Sequence, residues 1–452
     1  MTAEDVKNIS LNELLAMGDF ECSCGKTHSP GVSKVIIEKG AVNALPSMLE
    51  ELGVKKPFIL SGHDTFEAAG EKVEGVLESA GYVSSKYVFP VSPVRPTEAT
   101  VGAALMHFDY SCDAIIGIGS GVINDTAKMI AKATNFPYII VATAPSMDGF
   151  VSATSSMDRD GLKVSIPSKA AWGVIGDLDI LCEAPMHLLI SGVGDMLAKI
   201  TSLREWKIAN IIVDEYYCDI VAAMVEKAVD KVMSETEGLL RRESESVKSV
   251  MEGLTIAGIA MNYAGVSRPA SGTEHYFSHI WDMRSLAFPD AKFETHGVQA
   301  GIGTLYTLMA YEELLSENVE PDREKALSYV NKFDLDAWNE KLLAFVGPGA
   351  EAMIEGERKE HKYDASKHAS RLETIIDRWD EIINVIKTFP KVEKLRNLME
   401  SIDFPTDASC IGYGSADIKK TFTMTKDIRD KYVGTRLLWD LGILDEFADK
   451  IY

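Results

Sequence analysis

Apolar and polar positions fall into two regimes along this chain. From about residue 32 to 180, short β-rich runs alternate with stretches of helical period: KVIIE (34–38), PFIL (57–60), YVF (87–89), DAIIGIG (113–119), YIIVAT (138–143) and WGVIG (172–176). Strands separated by helical segments are what crossover units look like in sequence, so an α/β half is expected, with a mainly parallel, Rossmann-like sheet between helices. Beyond Pro185 strand-like runs nearly vanish, and long periodic segments take over at 185–210, 218–264, 297–316 and 348–388. Those periods predict an all-α C-terminal half. Pro185 suits a helix's first turn, where its missing N–H costs nothing, which puts the boundary near 180–185 and two domains at 1–182 and 183–452. There is no internal repeat and no low-complexity linker. The Glu-, Lys- and His-rich stretch at about 350–370 reads as a solvated helix face.

Composition narrows the function. With 452 residues, 46% of them hydrophobic, the chain is long enough for two cores. A formal charge of −22 repels phosphate backbones, which argues against nucleic acid and anionic membranes as partners. An anionic substrate must then meet local positive charge. No apolar run is long enough to span a bilayer, and MTAEDVKNIS lacks the order of a signal peptide, so a cytoplasmic protein without membrane insertion is expected. Six irregularly spaced cysteines read as reduced thiols.

Two stretches of the α/β half carry candidate chemistry. In GIGSGVINDTAKMIA (117–131) a strand runs into Gly119, Ser120 and Gly121 and a helix opens, so main-chain N–H groups and the helix dipole can meet a pyrophosphate. The spacing departs from G-x-G-x-x-G, since Asn124 holds the third position, and a purely structural turn is the alternative. Next, TAPSMDGFVSATS (143–155) sets Thr143, Ser146, Asp148 and Ser152 at a strand's C-terminal end, where open α/β sheets bind ligands; a helix-capping turn explains the same residues. In the helical half, Asp195 lies in SGVGDMLAK (191–199), His275 and His279 in SRPASGTEHYFSH (267–279), and His296 in THGVQAGIGTL (295–305). Asp195 is also a candidate helix cap, and His296 a candidate turn residue. His275 and His279, at i and i+4, share one helix face, as paired ligands or as packed core groups. If these side chains converge, one carboxylate and two imidazoles leave coordination positions open, as a Lewis-acid catalyst requires.

Taken in order, GSGVINDTAK, TAPSMDGFVSA, SGVGDMLAK, SRPASGTEHYFSHIWDM and HGVQAGIGTL resemble the motifs of the sn-glycerol-1-phosphate dehydrogenases, especially the longer bacterial type. These belong to the iron-containing alcohol dehydrogenase and dehydroquinate synthase-like superfamily. The resemblance covers roughly residues 30–445 and includes IRDKYVGTRLLWDLG (428–442). It implies that Asp195, His275 and His296 hold a divalent metal, while His279 and Asp148 contact the substrate with Asp195 beside it. It further implies that Gly119, Ser120, Gly121, Val122, Ile123, Asn124 and Asp125 wrap the pyrophosphate of NAD(P)H, and that Thr143, Ser146 and Ser152 contact the cofactor further along. Where many NAD-using relatives carry an acid after the second strand, this chain reads LSGHDT (60–65) with Gly62 nearest, so NADPH should be accepted alongside NADH; Asp64 is the residue able to take over that role.

The implied reaction is reduction of dihydroxyacetone phosphate at C2, with the metal polarising the carbonyl. His279 would orient the substrate or relay the proton, and Asp148 would accept a hydrogen bond from the C1 hydroxyl. Arg268, with Lys163 behind it, is the basic side chain expected to meet the phosphate of this small substrate. Zinc or nickel fits imidazole ligands better than magnesium. A homo-oligomer, most simply a dimer, is the expected assembly. The rival readings are a glycerol dehydrogenase acting on an unphosphorylated polyol, a dehydroquinate or inosose synthase, whose pattern has Glu where this chain has Asp195, and a metal-binding protein without catalysis. Separately, Cys22, Cys24 and His28 in CSCGKTH (22–28) offer metal ligands, but one C-x-C and one His fall short of a full set.

Overall fold

The computed structural model describes residues 2–159 and 162–451. Ten strands occur among them: β1 (Phe20–Glu21), β2 (Thr27–His28), β3 (Lys34–Glu38), β4 (Pro57–Gly62), β5 (Ser85–Phe89), β6 (Ala114–Gly119), β7 (Tyr138–Ala142), β8 (Thr154–Arg159), β9 (Leu162–Pro167) and β10 (Gly173–Asp177). Six of them form one sheet in the order β3-β10-β7-β6-β4-β5, and every pairing in it is parallel. These are the six apolar runs read from the sequence. Every residue of β4, β6, β7 and β10 is buried, as expected of central strands covered on both faces. One apolar cluster, with Leu45, Met48, Ile59, Val73, Ile116, Val141 and Ile175, fills one side of this sheet. The hairpins β1–β2 and β8–β9 are antiparallel additions that the apolar pattern does not announce.

The sheet order locates a ligand site before any side chain is considered. β4 leads outward to edge strand β5, and the chain then returns to the other side of β4 as β6. Such a reversal splays the loops leaving β4 and β6, and open α/β sheets bind ligands at the carboxyl ends of that pair. Gly62 ends β4 and Gly119 ends β6. The helix after β6, α1 (Gly121–Thr134), starts there.

After β10, helices are the only regular elements among the described residues. Those that matter below are α2 (Met186–Val213), α3 (Asp219–Glu235), α4 (Ser244–Ala264), α5 (Thr273–Ala287) and α6 (His296–Ser316). The expected 218–264 helix is two, α3 and α4, and the 348–388 segment is three shorter helices. Pro185 directly precedes α2, its carbonyl accepting from the Leu188 and Leu189 amides. The chain divides into two compact units: one comprises the chain through Met196 together with Asp219–Val266, the other Leu197–Cys218 and everything from Ser267 onward. The first holds the sheet, α3 and α4; the second is helical, with α5 against α6. No helix among the described residues is long and apolar enough to cross a membrane.

Candidate active site

In the first unit, the turn after β6 is built to present main chain. Ser120 takes the N-cap position of α1 without placing its hydroxyl on the helix's first amides. That hydroxyl instead lies 3.2 Å from the Ala144 carbonyl oxygen and 2.5 Å from Ser146 Oγ. A helix start without a side-chain cap offers N–H groups and a positive dipole end to an anion. The Thr143 amide donates to the Gly119 carbonyl at 3.2 Å, which brings Ser120, Gly121, Thr143 and Ser146 together at the carboxyl ends of β6 and β7. Ile123 and Asn124 turn inward instead: Ile123 is buried, and Asn124 uses its amide oxygen for Tyr138 Oη at 2.9 Å and its amide nitrogen for the Gly149 carbonyl at 3.0 Å. Asp125 accepts from the Ser156 amide and pairs with buried Lys128 at 3.4 Å. Lys128, which sequence reasoning passed over, also donates to Ser152 Oγ at 3.1 Å and to the Gly149 and Thr154 carbonyls. Ser152 is thus part of the scaffold under the 143–155 loop.

That loop is seated on α2 by a glycine. A Cβ on Gly192 would lie 1.9 Å from the Pro145 carbonyl oxygen, so only glycine permits the approach. Ser191 Oγ donates to the Ser146 carbonyl at 3.0 Å, and the Asp148 amide donates to Asp195 Oδ2 at 2.9 Å. Asp148 is half-buried and Asp195 fully buried. Asp195 lies well inside α2 and caps nothing.

Further along α2, Thr201 Oγ1 donates to Glu274 Oε2 at 2.7 Å. Glu274 starts the turn of α5 that carries His275. α6 reaches α5 closely because Gly303 faces the Glu274 backbone, whose carbonyl oxygen would lie 2.5 Å from an added Cβ. His296 is the first residue of α6. One ligand atom from each of Asp195, His275 and His296 lies within 4.8 Å of the others, and the His275 and His296 rings meet edge-on at 4.9 Å.

Hydrogen bonds decide how the two imidazoles are turned. His275 Nδ1 lies 2.9 Å from Glu274 Oε1, so that nitrogen carries the proton and Nε2 keeps its lone pair. Ser278 Oγ donates to Gln299 Oε1 at 2.7 Å, which leaves it an acceptor for His296 Nδ1 at 3.0 Å, so Nε2 again keeps the lone pair. Histidines that hold a metal commonly have carboxylate or hydroxyl partners of this kind on the other ring nitrogen. Burial works against an ionised Glu274, yet bonds from His275, Thr201 and the Gly272 amide prevail and hold its carboxyl below the usual range. Its neighbour Glu205 is pushed up to about 7, by burial and then by the Glu274 charge. Glu274, Ser278 and Gln299 were not singled out from sequence, although the first two stand inside the SRPASGTEHYFSH motif.

His279, one turn beyond His275 on α5, is half-buried, its ring 6.4 Å from that of His296. Burial, then the Arg429, His296, His275 and Lys431 charges, hold it well below the ordinary histidine range, as a neutral imidazole. Arg268 is fully buried: Nε meets Glu215 at 3.1 Å and Nη2 donates to the Glu205 and Tyr432 carbonyls. Lys163, on β9, pairs with Asp158 at 3.5 Å. Two half-exposed cations, Arg429 and Lys431, act on His279 through their charge. Lys431 Nζ donates to Ser267 Oγ and to the Ser267 and Ser271 carbonyls, and burial, then repulsion from Arg268 and Arg429, push it down to about 7. The segment IRDKYVG had been read only as part of the overall resemblance.

A parallel sheet with an uncapped helix start, followed by helices bearing an aspartate and two oriented histidines, defines a metal-dependent dehydrogenase class, and residues 36–185 match the family described as iron-containing alcohol dehydrogenase. Solved structures of a glycerol dehydrogenase from Schizosaccharomyces pombe and an iron-containing alcohol dehydrogenase from Corynebacterium glutamicum share the fold. Their TM-scores are both 0.58, at 16% and 17% identity, with 93% of this chain covered in each case and 90% and 96% of theirs. Among curated relatives, the glycerol-1-phosphate dehydrogenase [NAD(P)+] of Pyrococcus furiosus is 34% identical over 62% of this chain and 78% of its own length. That of Bacillus licheniformis is 30% identical over 66% and 75%, and that of Bacillus subtilis 26% identical over 93% and 94%. The chain belongs to the glycerol-1-phosphate dehydrogenase family.

Proposed function

We propose that this protein reduces dihydroxyacetone phosphate to sn-glycerol 1-phosphate, reversibly, using NADH or NADPH and one divalent cation, zinc or nickel. The observation that carries the reading is the clustering of Asp195, His275 and His296, one ligand atom of each within 4.8 Å of the others, with the two imidazoles turning Nδ1 to Glu274 and Ser278. One carboxylate and two imidazoles suit zinc or nickel better than magnesium, and three protein ligands leave room for a substrate oxygen. When bound, the cation supplies the charge that polarises the C2 carbonyl and steadies the alkoxide, and the reduced nicotinamide supplies the hydride.

The chain's residues do the rest. The Gly119–Gly121 turn and the first amides of α1, from Gly121 to Ile123, hold the pyrophosphate, with Ser120, Thr143 and Ser146 beside it. Asn124, Asp125 and Ser152 keep that turn and the following loop in place through Tyr138 and Lys128. Gly62, lacking a carboxylate, leaves the adenosine ribose open to a 2′-phosphate, while Asp64 on the adjoining helix is held by Ser92. Asp148 accepts from the C1 hydroxyl. His279 orients the C2 oxygen and relays the proton, from water to that oxygen in reduction and from the hydroxyl back to water in oxidation, its neutral resting form being the acceptor. Arg429 and Lys431, with Arg268 behind them, meet the phosphate: anion binding relieves the repulsion that depresses Lys431. We carry a cytoplasmic homodimer as part of this reading, with sedimentation as its check.

The test is NAD(P)H oxidation on dihydroxyacetone phosphate after chelation, with and without added zinc or nickel, followed by chiral analysis of the product. Metal-dependent oxidation yielding the 1-phosphate is expected. Turnover of glycerol or dihydroxyacetone with none of the phosphate ester would transfer the chain to the polyol dehydrogenases, and no oxidation under any metal would reject the assignment.

A further inference from the structure

The hairpin near the N-terminus holds a second cluster of metal-ligating side chains. β1 and β2 are joined by a tight turn in which the Gly25 amide donates to the Cys22 carbonyl at 3.0 Å and the Cys22 amide to the Lys26 carbonyl at 3.0 Å. Gly25 has φ +89°, a value that Cβ-bearing residues rarely adopt, so the turn depends on glycine. Folded this way, the turn points the Cys24 amide at Cys22 Sγ, 3.5 Å away.

His28, at the end of β2, is fully buried, and its Nδ1 lies 2.9 Å from the Tyr263 carbonyl oxygen of α4. A carbonyl only accepts, so Nδ1 carries the proton and Nε2 the lone pair. Nε2 lies 3.4 Å from Cys24 Sγ. Cys218, buried and immediately ahead of α3, supplies what the CSCGKTH stretch lacks on its own. One ligand atom from each of Cys22, Cys24, His28 and Cys218 lies within 4.8 Å of the others. Zinc bonds of about 2.3 Å to sulfur and about 2.0 Å to nitrogen, at the tetrahedral angle, set a sulfur and a nitrogen roughly 3.5 Å apart. The Cys24–His28 separation agrees with that.

We propose that Cys22, Cys24, His28 and Cys218 form a closed structural zinc site, in addition to the Asp195–His275–His296 site. Three thiolates and one imidazole make a full tetrahedral set with no position left for substrate, the opposite of the open three-ligand arrangement. Sulfur donors select zinc over the harder cations. His28 has the second-layer partner that ligating histidines take, here the Tyr263 carbonyl. The neighbouring tethers serve the same end: Lys26 Nζ donates to the Ala264 carbonyl at 2.7 Å, Asn262 to the Pro30 carbonyl at 2.8 Å, and Lys227 of α3 to the Ile9 carbonyl at 2.9 Å. The zinc would pin the N-terminal hairpin to the start of α3, which the short β1–β2 ladder cannot do alone.

Cobalt substitution in the full-length chain reads this site apart from the catalytic one, because only thiolate ligands give a near-ultraviolet sulfur-to-cobalt charge-transfer band. The wild-type chain and a His275→Ala chain should both show that band, together with tetrahedral visible bands. Cys218→Ser and, at the less buried edge of the cluster, Cys22→Ser should each lose it, with one equivalent less zinc by mass spectrometry and a lower Tm. Zinc should also shield three thiols from a thiol reagent, which chelation exposes. A wild-type chain without the sulfur-to-cobalt band, or one whose zinc content and thiol reactivity are the same in Cys22→Ser, would overturn the proposal. Because the His275→Ala chain is expected to keep this metal while losing turnover, failure here is distinguishable from failure of the functional reading.

Discussion

The two parts of the proposed active site are made of different materials. After β6 the first unit offers main-chain N–H groups, shaped by glycines and by inward-facing Asn124 and Lys128. The helices offer side chains, Asp195, His275, His279 and His296, of which the two histidines His275 and His296 are turned by a further hydrogen bond. The contrast teaches where each part is vulnerable. A main-chain site survives the loss of a hydroxyl but not an added Cβ at a close approach. A side-chain site tolerates no change of donor, and its partners matter almost as much as the donors themselves.

The largest effect tests the side-chain part. Asp195→Asn or His275→Ala should release the catalytic cation and lower kcat by on the order of 10³-fold, the several kcal/mol that a Lewis-acid metal contributes; metal content and steady-state kinetics read both. Glu274→Gln keeps the shape of the fully buried side chain but removes the carboxylate behind His275, so metal affinity should fall by about 10–100-fold while the fold persists. Unchanged affinity would mean that the orienting layer does nothing.

On the main-chain side, Gly192→Ala should displace the 145–148 loop, costing about 1–3 kcal/mol of stability and raising KM for the nucleotide. Ser146→Ala should cost only a few-fold in the same KM. If the serine substitution proves the more damaging, the cofactor is held by hydroxyls and the contrast fails.

A further effect is one of pH. The Lys431 ammonium is held down to about 7 in the unbound protein, and a bound phosphate would raise it. The favourable charge is then present below pH 7 and lost as pH rises above it, so KM for dihydroxyacetone phosphate should climb, by at most about tenfold per pH unit. Lys431→Arg should flatten that climb, since a guanidinium stays charged throughout. A rise that persists in the arginine variant would place the titrating group elsewhere.

How much of this was legible depended on whether the signal was local. The six sheet strands stood out because buried parallel strands are short unbroken apolar runs. β8, reading TSSMDR, did not, since its hydroxyl-rich sequence matches a loop equally well. The 218–264 period hid a break: the chain turns at 236–243, where Gly238 packs against Glu243 and Ser246, while the apolar spacing runs through. Asp195 and His296, each open to a local reading as a cap or a turn residue, are brought together only by long-range packing. The same holds for Lys431, whose depressed ammonium arises from Arg268 and Arg429, and for Cys218, which completes a cluster begun far upstream. Local pattern singled out candidate residues, and the fold supplied their company.

The most direct test of the central claim is an anomalous difference map from crystals grown with zinc or nickel. The account predicts a peak within about 2.0–2.2 Å of an Asp195 carboxylate oxygen and of Nε2 of both His275 and His296, with Nδ1 still bonded to Glu274 and Ser278. No peak among these three side chains, or coordination through either Nδ1, would contradict it.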